Sequence, residues 1–375
     1  MATKGTNKTA GLTRLKQDLK AGTPASLYIF HGEETYLRDF YLDKLRAACV
    51  PAGMESFNVH RLPGKGLDLQ ALSDAVDTLP MMSPRTFIRV DDYDLFKAPE
   101  SQRTAMAALL ADLPDYCTLV FVYDTIPYKA DARMKKLAGV LKETGCEAAF
   151  PRQDQHDLTD WIVRRFKALD HDISTGDAQY LIFLCGDLMT GLIGEIAKIG
   201  AYARERRVTK GDIDAVAIPV LDAQVFRMTD ALTKKDYDKA LAVLNDLLLM
   251  KQEPIMLLAV LGKHLRQLYS ARVALESGQG SRWVQGLWSM RSAYPADKLM
   301  DAARRHDLAW CRRAMARCAE TDLAMKSVTG ADARDRLISL VLELAAGVRP
   351  CSGSGRPSWW RAGTTKLPSP SWWTG

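Results

Sequence analysis

The residues with the most specific chemistry to test are His31-Gly32-Glu33-Glu34, at the junction of an apolar run and an amphipathic one. A loop that cradles phosphates brings glycines, a lysine and the positive end of a helix to one place, so that N–H groups and a cation meet the anion together. Here the turn has one glycine, no Gly-Lys-Ser/Thr, and two carboxylates where the anion would sit. Those carboxylates complement the helix dipole themselves and would repel a triphosphate. The pattern G-x-x-x-x-G-K-[ST] occurs nowhere else in the 375 residues, so no nucleotide cofactor is expected. Asp91-Asp92 ends another apolar run as a metal-holding strand end would, but without a phosphate cradle it reads as a strand-terminating turn. The seven cysteines, at 49, 117, 146, 185, 311, 318 and 351, are scattered, with no Cys-x-x-Cys and no His at ligand spacing from a Cys pair. Neither a disulfide framework nor a zinc site is indicated, and no catalytic set emerges.

What remains is recognition chemistry. In Thr78-Leu-Pro-Met-Met-Ser-Pro-Arg85 two methionines lie between two prolines. The preceding run has Leu69, Leu72 and Val76 spaced for one helix face, and Pro80 and Pro84 forbid that helix to continue. The run from Thr86 to Asp91 then reads as a buried strand. Adjacent residues on a helix or turn tend to face different ways, which argues for at least one of Met81 and Met82 outward. Methionine, unbranched and polarizable, suits an adaptable contact surface. Spacing alone nevertheless favours the alternative, in which both methionines fill the core beneath the strand.

The elements that must position these residues belong to an ordinary globular chain, 47% apolar and 26% charged, long enough for two or three domains. No apolar run is long enough to span a bilayer, and the N-terminus has no signal-peptide-like stretch, so a cytoplasmic protein without membrane contact is expected. The formal charge of +6 is concentrated at the ends: setting aside residues 1–22 and 349–375 leaves 42 Lys and Arg against 44 Asp and Glu. The body is near neutral, so net charge gives no ground for reading the whole chain as a nucleic-acid binder. Local basic clusters occur at 204–207 and from Arg304 to Arg317, and solvated helix faces account for such clusters more often than phosphate sites do.

In chain order, a short helix over Leu12 to Leu19 precedes a strand at Ser26 to His31 and a helix running towards Cys49. Further strands are expected at Phe57 to His60, Thr86 to Asp91, Thr118 to Tyr123 and Glu147 to Phe150, with helices between them. Runs apolar on both faces and separated by helices imply a parallel sheet covered on both sides. From His156 to Ala217 the pattern is helical alone: Leu158 to Leu169 after Asp157, a helix to Cys185 started by Ser174 and Asp177, Leu192 to Ala203, and a fourth begun by Thr209-x-x-Asp212. Beyond Pro219 come Lys239 to Met250, Pro254 to Glu276, Lys298 to about Ser327, and Asp332 to Ala346. In the third of these, Asp322 lies in an apolar stripe with Lys326 one turn on, which reads as a satisfied carboxylate rather than a catalytic one. Residues 349–375 are rich in Gly, Pro and Ser, with Pro-Ser-Trp-Trp twice; such a tail builds no core and is either a docking peptide or an extension without function. The expected domains are 1–150, 151–218 and 219–347, with a tail at 348–375.

This order of motifs resembles the clamp-loader branch of the AAA+ proteins, and within it the delta subunit family of the bacterial DNA polymerase III holoenzyme. The matching stretches are Leu27-Tyr-Ile-Phe-His-Gly-Glu-Glu-Thr-Tyr-Leu37, Thr78 to Arg85, Leu158-x-x-Trp161-Ile162, Glu195-Ile-Ala-Lys198 and Asp322-x-x-x-Lys326-Ser327, from about residue 25 to 346. The tail has no counterpart in the family pattern. The resemblance implies an AAA+-like α/β domain without a P-loop, a small helical lid and an all-α collar. It implies a non-catalytic subunit that binds the ring-shaped sliding clamp (the beta subunit) and opens it for loading on primed DNA, beside the gamma/tau and delta prime subunits. The family's clamp-binding apolar pair falls on Met81 and Met82, after Leu79 and Pro80, where the family often has bulkier Leu and Phe. Gly32, Glu33 and Glu34 fall on a vestigial nucleotide site. Asp124-Thr-Ile-Pro127 lacks the Ser-Arg-Cys through which neighbouring loader subunits offer an arginine, and Met189 stands where an ATP-sensing arginine would be. Arg304, Arg305, Arg312 and Arg313 are candidates for DNA contact within the assembled loader. Two other classes compete: an ATPase with a divergent phosphate loop, and a helical adaptor that binds DNA directly.

Overall fold

The computed structural model describes residues 6–131, 133–290, 292–327 and 333–346; the tail expected at 348–375, with Cys351, lies outside them. Two compact units, divided after Val220, are described separately. The first opens with α1 (Thr6–Ala21), β1 (Leu27–His31), α2 (Thr35–Cys49), α3 (Glu55–Asn58), β2 (Val59–Pro63), α4 (Leu69–Asp77) and β3 (Thr86–Asp91). It continues through α5 (Glu100–Ala111), β4 (Cys117–Val122), α6 (Lys135–Thr144) and β5 (Gly145–Ala149). The strands form one parallel sheet in the order β2-β3-β4-β1-β5. Leu27 pairs with Leu119 on one side and Gly145 on the other, and Thr86 with Cys117.

Alternation along the strands shows why the sheet is covered on both faces. Leu27, Ile29, Leu119 and Phe121 join a core with Leu72, Val76 and Leu110 from α4 and α5. Tyr28, Phe30, Val120 and Val122 join a second core with Leu15, Leu42 and Leu45 from α1 and α2. Each face of the central strands is thus apolar, as a parallel sheet with helices on both sides requires. β2 is the exception, an edge strand with half-buried and exposed side chains. The strand expected at Phe57 to His60 begins only at Val59, because the turn α3 occupies Glu55–Asn58.

The rest of the first unit is α7 (Gln155–Lys167), β6 (Asp172–Ile173), α8 (Thr175–Cys185), α9 (Met189–Tyr202), β7 (Arg207–Val208) and α10 (Lys210–Val216). Asp154 rather than Asp157 caps α7, accepting from the Asp157 N–H at 2.8 Å. Ser174 caps α8, and Thr209 with Asp212 forms the capping box of α10. The helices-only expectation is corrected by β6 and β7, which pair in parallel through Asp172↔Arg207 and Ile173↔Val208. Two residues apiece are too short for a strand period to register.

The second unit is helical among the described residues: α11 (Leu221–Thr233), α12 (Tyr237–Leu249), α13 (Pro254–Glu276), α14 (Ser281–Leu287), α15 (Ala293–Ala303), α16 (Leu308–Ser327) and α17 (Ala333–Ala345). Its core draws Leu244, Leu258, Leu261, Leu265 and Leu340 from α12, α13 and α17. The single helix expected from Lys298 to Ser327 is two helices, because Asp307 accepts from the Trp310 N–H at 2.6 Å and starts α16 afresh. Among the described residues no single helix is long and apolar enough to cross a membrane; α8 and α9 together pass by length and composition but are bent by 119°.

Candidate functional site

The turn between α4 and β3 is built from its neighbours inward. Asp68 caps α4, accepting from the Gln70 N–H at 2.9 Å, and Leu72, Ala75 and Val76 bury its inner face. After Asp77 the prolines at 80 and 84 keep the chain out of the helix. Leu79 is 71% exposed, Met81 54% and Met82 81%, with Pro80 half-buried between them. Both thioethers lie at the surface, so the alternative in which they fill the core is excluded. Met82 has φ of +50°, the left-handed region that a residue with a large side chain rarely occupies.

The backbone here is tied down at two points. Met81 N–H donates to Asn58 Oδ1 at 2.6 Å, and Asn58 Nδ2 donates to the carbonyls of Met81 and Met54, both at 2.9 Å. Ser83 Oγ lies 2.9 Å from the carbonyl oxygens of Cys49 and Arg85. Three large apolar side chains within four residues therefore stand in water on a fixed backbone, an arrangement suited to anchoring a protein partner.

The turn after β1 lies at the carboxyl edge of the sheet, where α/β folds bind ligands. Gly32, with φ of +127°, passes so close to Phe150 that a Cβ would fall 2.2 Å from its carbonyl oxygen. Only glycine fits there. Glu34 N–H donates to that same carbonyl at 3.0 Å, and Thr35 N–H donates to the Glu33 carbonyl at 3.1 Å. Two of the amides that a phosphate loop would aim at an anion are thus already used.

The two carboxylates reach beyond their own helix. Glu34 precedes α2 without capping it; the fully buried carboxyl accepts from the Met189 N–H, at the start of α9, at 3.3 Å, and Oε1 has no partner. Burial raises its pKa above the ordinary carboxylate value, while the N–H groups of Met189 and Tyr36 pull the other way. Glu33 Oε2 takes Arg152 Nε at 2.5 Å, and the same guanidinium reaches Asp187 at 2.9 Å. Thr35 and Thr190 hydroxyls meet at 2.8 Å, and Arg165 bonds the Tyr36 hydroxyl. Arg152 had no local sequence signal: its partners lie 119 and 35 residues away.

The acids ending β3 are likewise occupied. Asp91 pairs with Arg61 at 2.7 Å and Arg89 at 2.5 Å. Asp92 accepts from the N–H groups of Asp124 and Thr125 at 2.7 and 3.1 Å and from the Thr125 hydroxyl at 2.7 Å. Partial burial opposes ionisation of Asp92, but these donors prevail and hold its pKa below the usual value. The strand-terminating role is thus the structural one. Arg38, buried on α2, fixes the other side of the same loop through Asp124 at 2.7 Å and the Tyr123 carbonyl at 3.2 Å. No group of three or more His, Cys, Asp or Glu among the described residues could hold a metal ion.

In the second unit Arg304 and Arg305 follow α15, and Arg312 and Arg313 lie in the second turn of α16. Arg304 is paired with Asp301 at 2.7 Å; Arg305 and Arg312 are exposed; Arg313 is half-buried. Asp322 is paired with Lys326 at 2.7 Å, as a satisfied carboxylate should be.

Comparison with known proteins is consistent with this architecture. Residues 28–147 match the family described as DNA polymerase III, delta subunit, and residues 222–342 the family described as DNA polymerase III delta subunit, C-terminal domain. DNA polymerase III subunit delta of Bacillus subtilis (strain 168) is 24% identical over 333 residues, which are 87% of this chain and 94% of that protein. The probable DNA polymerase III subunit delta of Aquifex aeolicus (strain VF5) is 25% identical over 260 residues, 68% of this chain and 72% of that protein. The solved structure of the Bacillus subtilis DNA clamp loader delta protein has the same fold, with a TM-score of 0.53 at 21% identity over 89% of this chain and 99% of that one. Two family matches that together span more than half of the sequence, in family order, identify the chain as a member of the DNA polymerase III delta subunit family.

Proposed function

We propose that this chain binds the ring-shaped sliding clamp and opens it for loading on primed DNA, as a non-catalytic subunit of a cytoplasmic clamp loader. The observation that carries the reading is the exposure of Leu79, Met81 and Met82 on a tied turn. Buried in a partner, each such side chain contributes about 2 kcal/mol, enough together to anchor an interface once the cost of association is met. Opening follows from differential affinity: a subunit that grips the opened ring more tightly than the closed one shifts the ring population towards opening, and a 100-fold shift needs about 2.7 kcal/mol of difference.

The carboxyl edge supports a role without nucleotide. Two amides taken by Phe150 and Glu33, a buried carboxyl at the start of α9, and an arginine shared by Glu33 and Asp187 all weigh against a phosphate here. On this reading residues 1–150 carry the clamp contact, 151–218 form the lid, and 219–347 form the collar that joins the gamma/tau and delta prime subunits. Arg304, Arg305, Arg312 and Arg313 are the basic residues offered to DNA in the assembled complex, Arg304 less so because Asp301 already neutralises it.

The test is titration of the cognate clamp with the intact chain and with the double variant Met81→Ser, Met82→Ser. Binding is expected to be lost with the fold intact; unchanged affinity would remove the site.

A further inference from the structure

We propose that Asn58 is the positioning residue for the Met81–Met82 turn: buried and away from any partner, it holds the contact surface in its binding conformation. The inference rests on the reading of that turn as the clamp-binding site. One carboxamide satisfies both polar groups of Met81, accepting from its N–H at 2.6 Å and donating to its carbonyl at 2.9 Å, while its second N–H reaches the Met54 carbonyl at 2.9 Å. Few other side chains of this size donate and accept side by side in this way, and a reversed amide would set donor against donor.

The geometry explains why such a tie is needed. Met82 is left-handed, a conformation that an unsupported chain avoids for a large side chain and that persists only where its surroundings over-determine it. Pro80 and Pro84 restrict the approach and exit but leave the peptides at 81 and 82 free to rotate. Asn58 fixes the first of these and Ser83 the exit, where its hydroxyl meets the Cys49 and Arg85 carbonyls. Asn58 ends α3, which takes the first two residues of the strand expected at Phe57 to His60. That single helical turn is what aims the side chain of residue 58 at a peptide 23 positions later. With the tie in place the ordering of the turn is completed on folding; without it, the same ordering is charged against association.

The experiment measures clamp affinity by calorimetric titration and amide hydrogen exchange by mass spectrometry on the full chain, for Asn58→Ala, Asn58→Asp and Met82→Ser. Asp has the shape of Asn and keeps the acceptor but loses both donations, so it serves if the alanine variant does not fold. Folding is judged by unchanged exchange in β1 and β4. Either Asn58 variant is expected to accelerate exchange over residues 79–85 and to weaken binding by about tenfold. In a Met82→Ser background the same change should cost distinctly less, because the two residues act through one contact. Accelerated exchange with unchanged affinity overturns the inference, as does weakened affinity with unchanged exchange, which would place Asn58 in the interface itself. Unchanged affinity in Met82→Ser would instead overturn the clamp-site reading.

Discussion

Replacing Met82 by Asn should raise stability and lower affinity together, and the two signs come from different parts of the structure. Met82 is 81% exposed, so only about a fifth of its surface is removed from water on folding. With about 2 kcal/mol for full burial of a methionine, the packing given up by the substitution amounts to about 0.4 kcal/mol. Against this, the left-handed backbone at φ of +50° costs an ordinary residue about 1 kcal/mol, whereas Asn tolerates it through local hydrogen bonding of its short side chain. The net expectation is a gain of about 0.5 kcal/mol, read as a higher urea midpoint at unchanged slope. In the complex the balance reverses. The exposed four-fifths of the side chain is what a partner can cover, and losing it costs about 1.5 kcal/mol, more than tenfold in Kd. A fall of more than 1 kcal/mol in stability with unchanged Kd would refute the reasoning, since it would mean that Met82 serves the core and not a partner.

Three further outcomes are expected. Glu34→Gln should stabilise the chain at neutral pH: burial raises the carboxyl's folded-state pKa, so the wild type loses stability as pH rises from the ordinary carboxylate value through the raised one, and Gln does not. Urea midpoints of both proteins at pH 4.5 and 7.5 check this, and equal pH dependence would count against it. His264, buried in the second unit with Nε2 3.2 Å from the Asp222 carbonyl, has its pKa pushed down to about 4 by burial. Its contribution is complete above the unfolded value of about 6.5 and is lost as pH falls towards 4, by at most about 3 kcal/mol; His264→Gln should flatten denaturation midpoints across that window. Calorimetric titration with ATP and magnesium should give no saturable heat, and a saturable isotherm would show that the Glu33–Glu34 turn yields to a phosphate.

Much of the architecture is legible because it rests on local signals. Thr209 and Asp212 announce a capping box, Ser174 a helix start, and Pro254 the first residue of a helix whose observed bounds are Pro254–Glu276. The errors have local causes as well. Phe57-Asn-Val-His has the alternation of a strand, but α3 takes its first half, because Asn58 is drawn to the Met54 carbonyl four residues back. The break between α15 and α16 contains neither proline nor glycine; its one signal is Asp307, an N-cap that an apolar stripe on both sides conceals. The candidate site divides the same way. Two prolines around two methionines mark the turn, yet Asn58, which holds it, is 23 residues distant. Nothing in spacing reveals a side chain that bonds a remote peptide.

The same distinction bears on the carboxyl edge. An empty phosphate loop is visible in sequence as missing glycines and a missing lysine, but emptiness alone leaves the turn without a reason to be ordered. The structure supplies one. Gly32 leaves room for the Phe150 carbonyl, and the Glu34 carboxyl, not a phosphate, meets the N–H that opens α9. The first N–H groups of a helix need acceptors from outside it, and at α9 a side chain of the protein supplies one. In the proposed role, therefore, this edge needs no nucleotide to be ordered, and clamp binding by the chain should not depend on one. Nucleotide-dependent clamp binding by the isolated chain, measured with and without ATP, would contradict it.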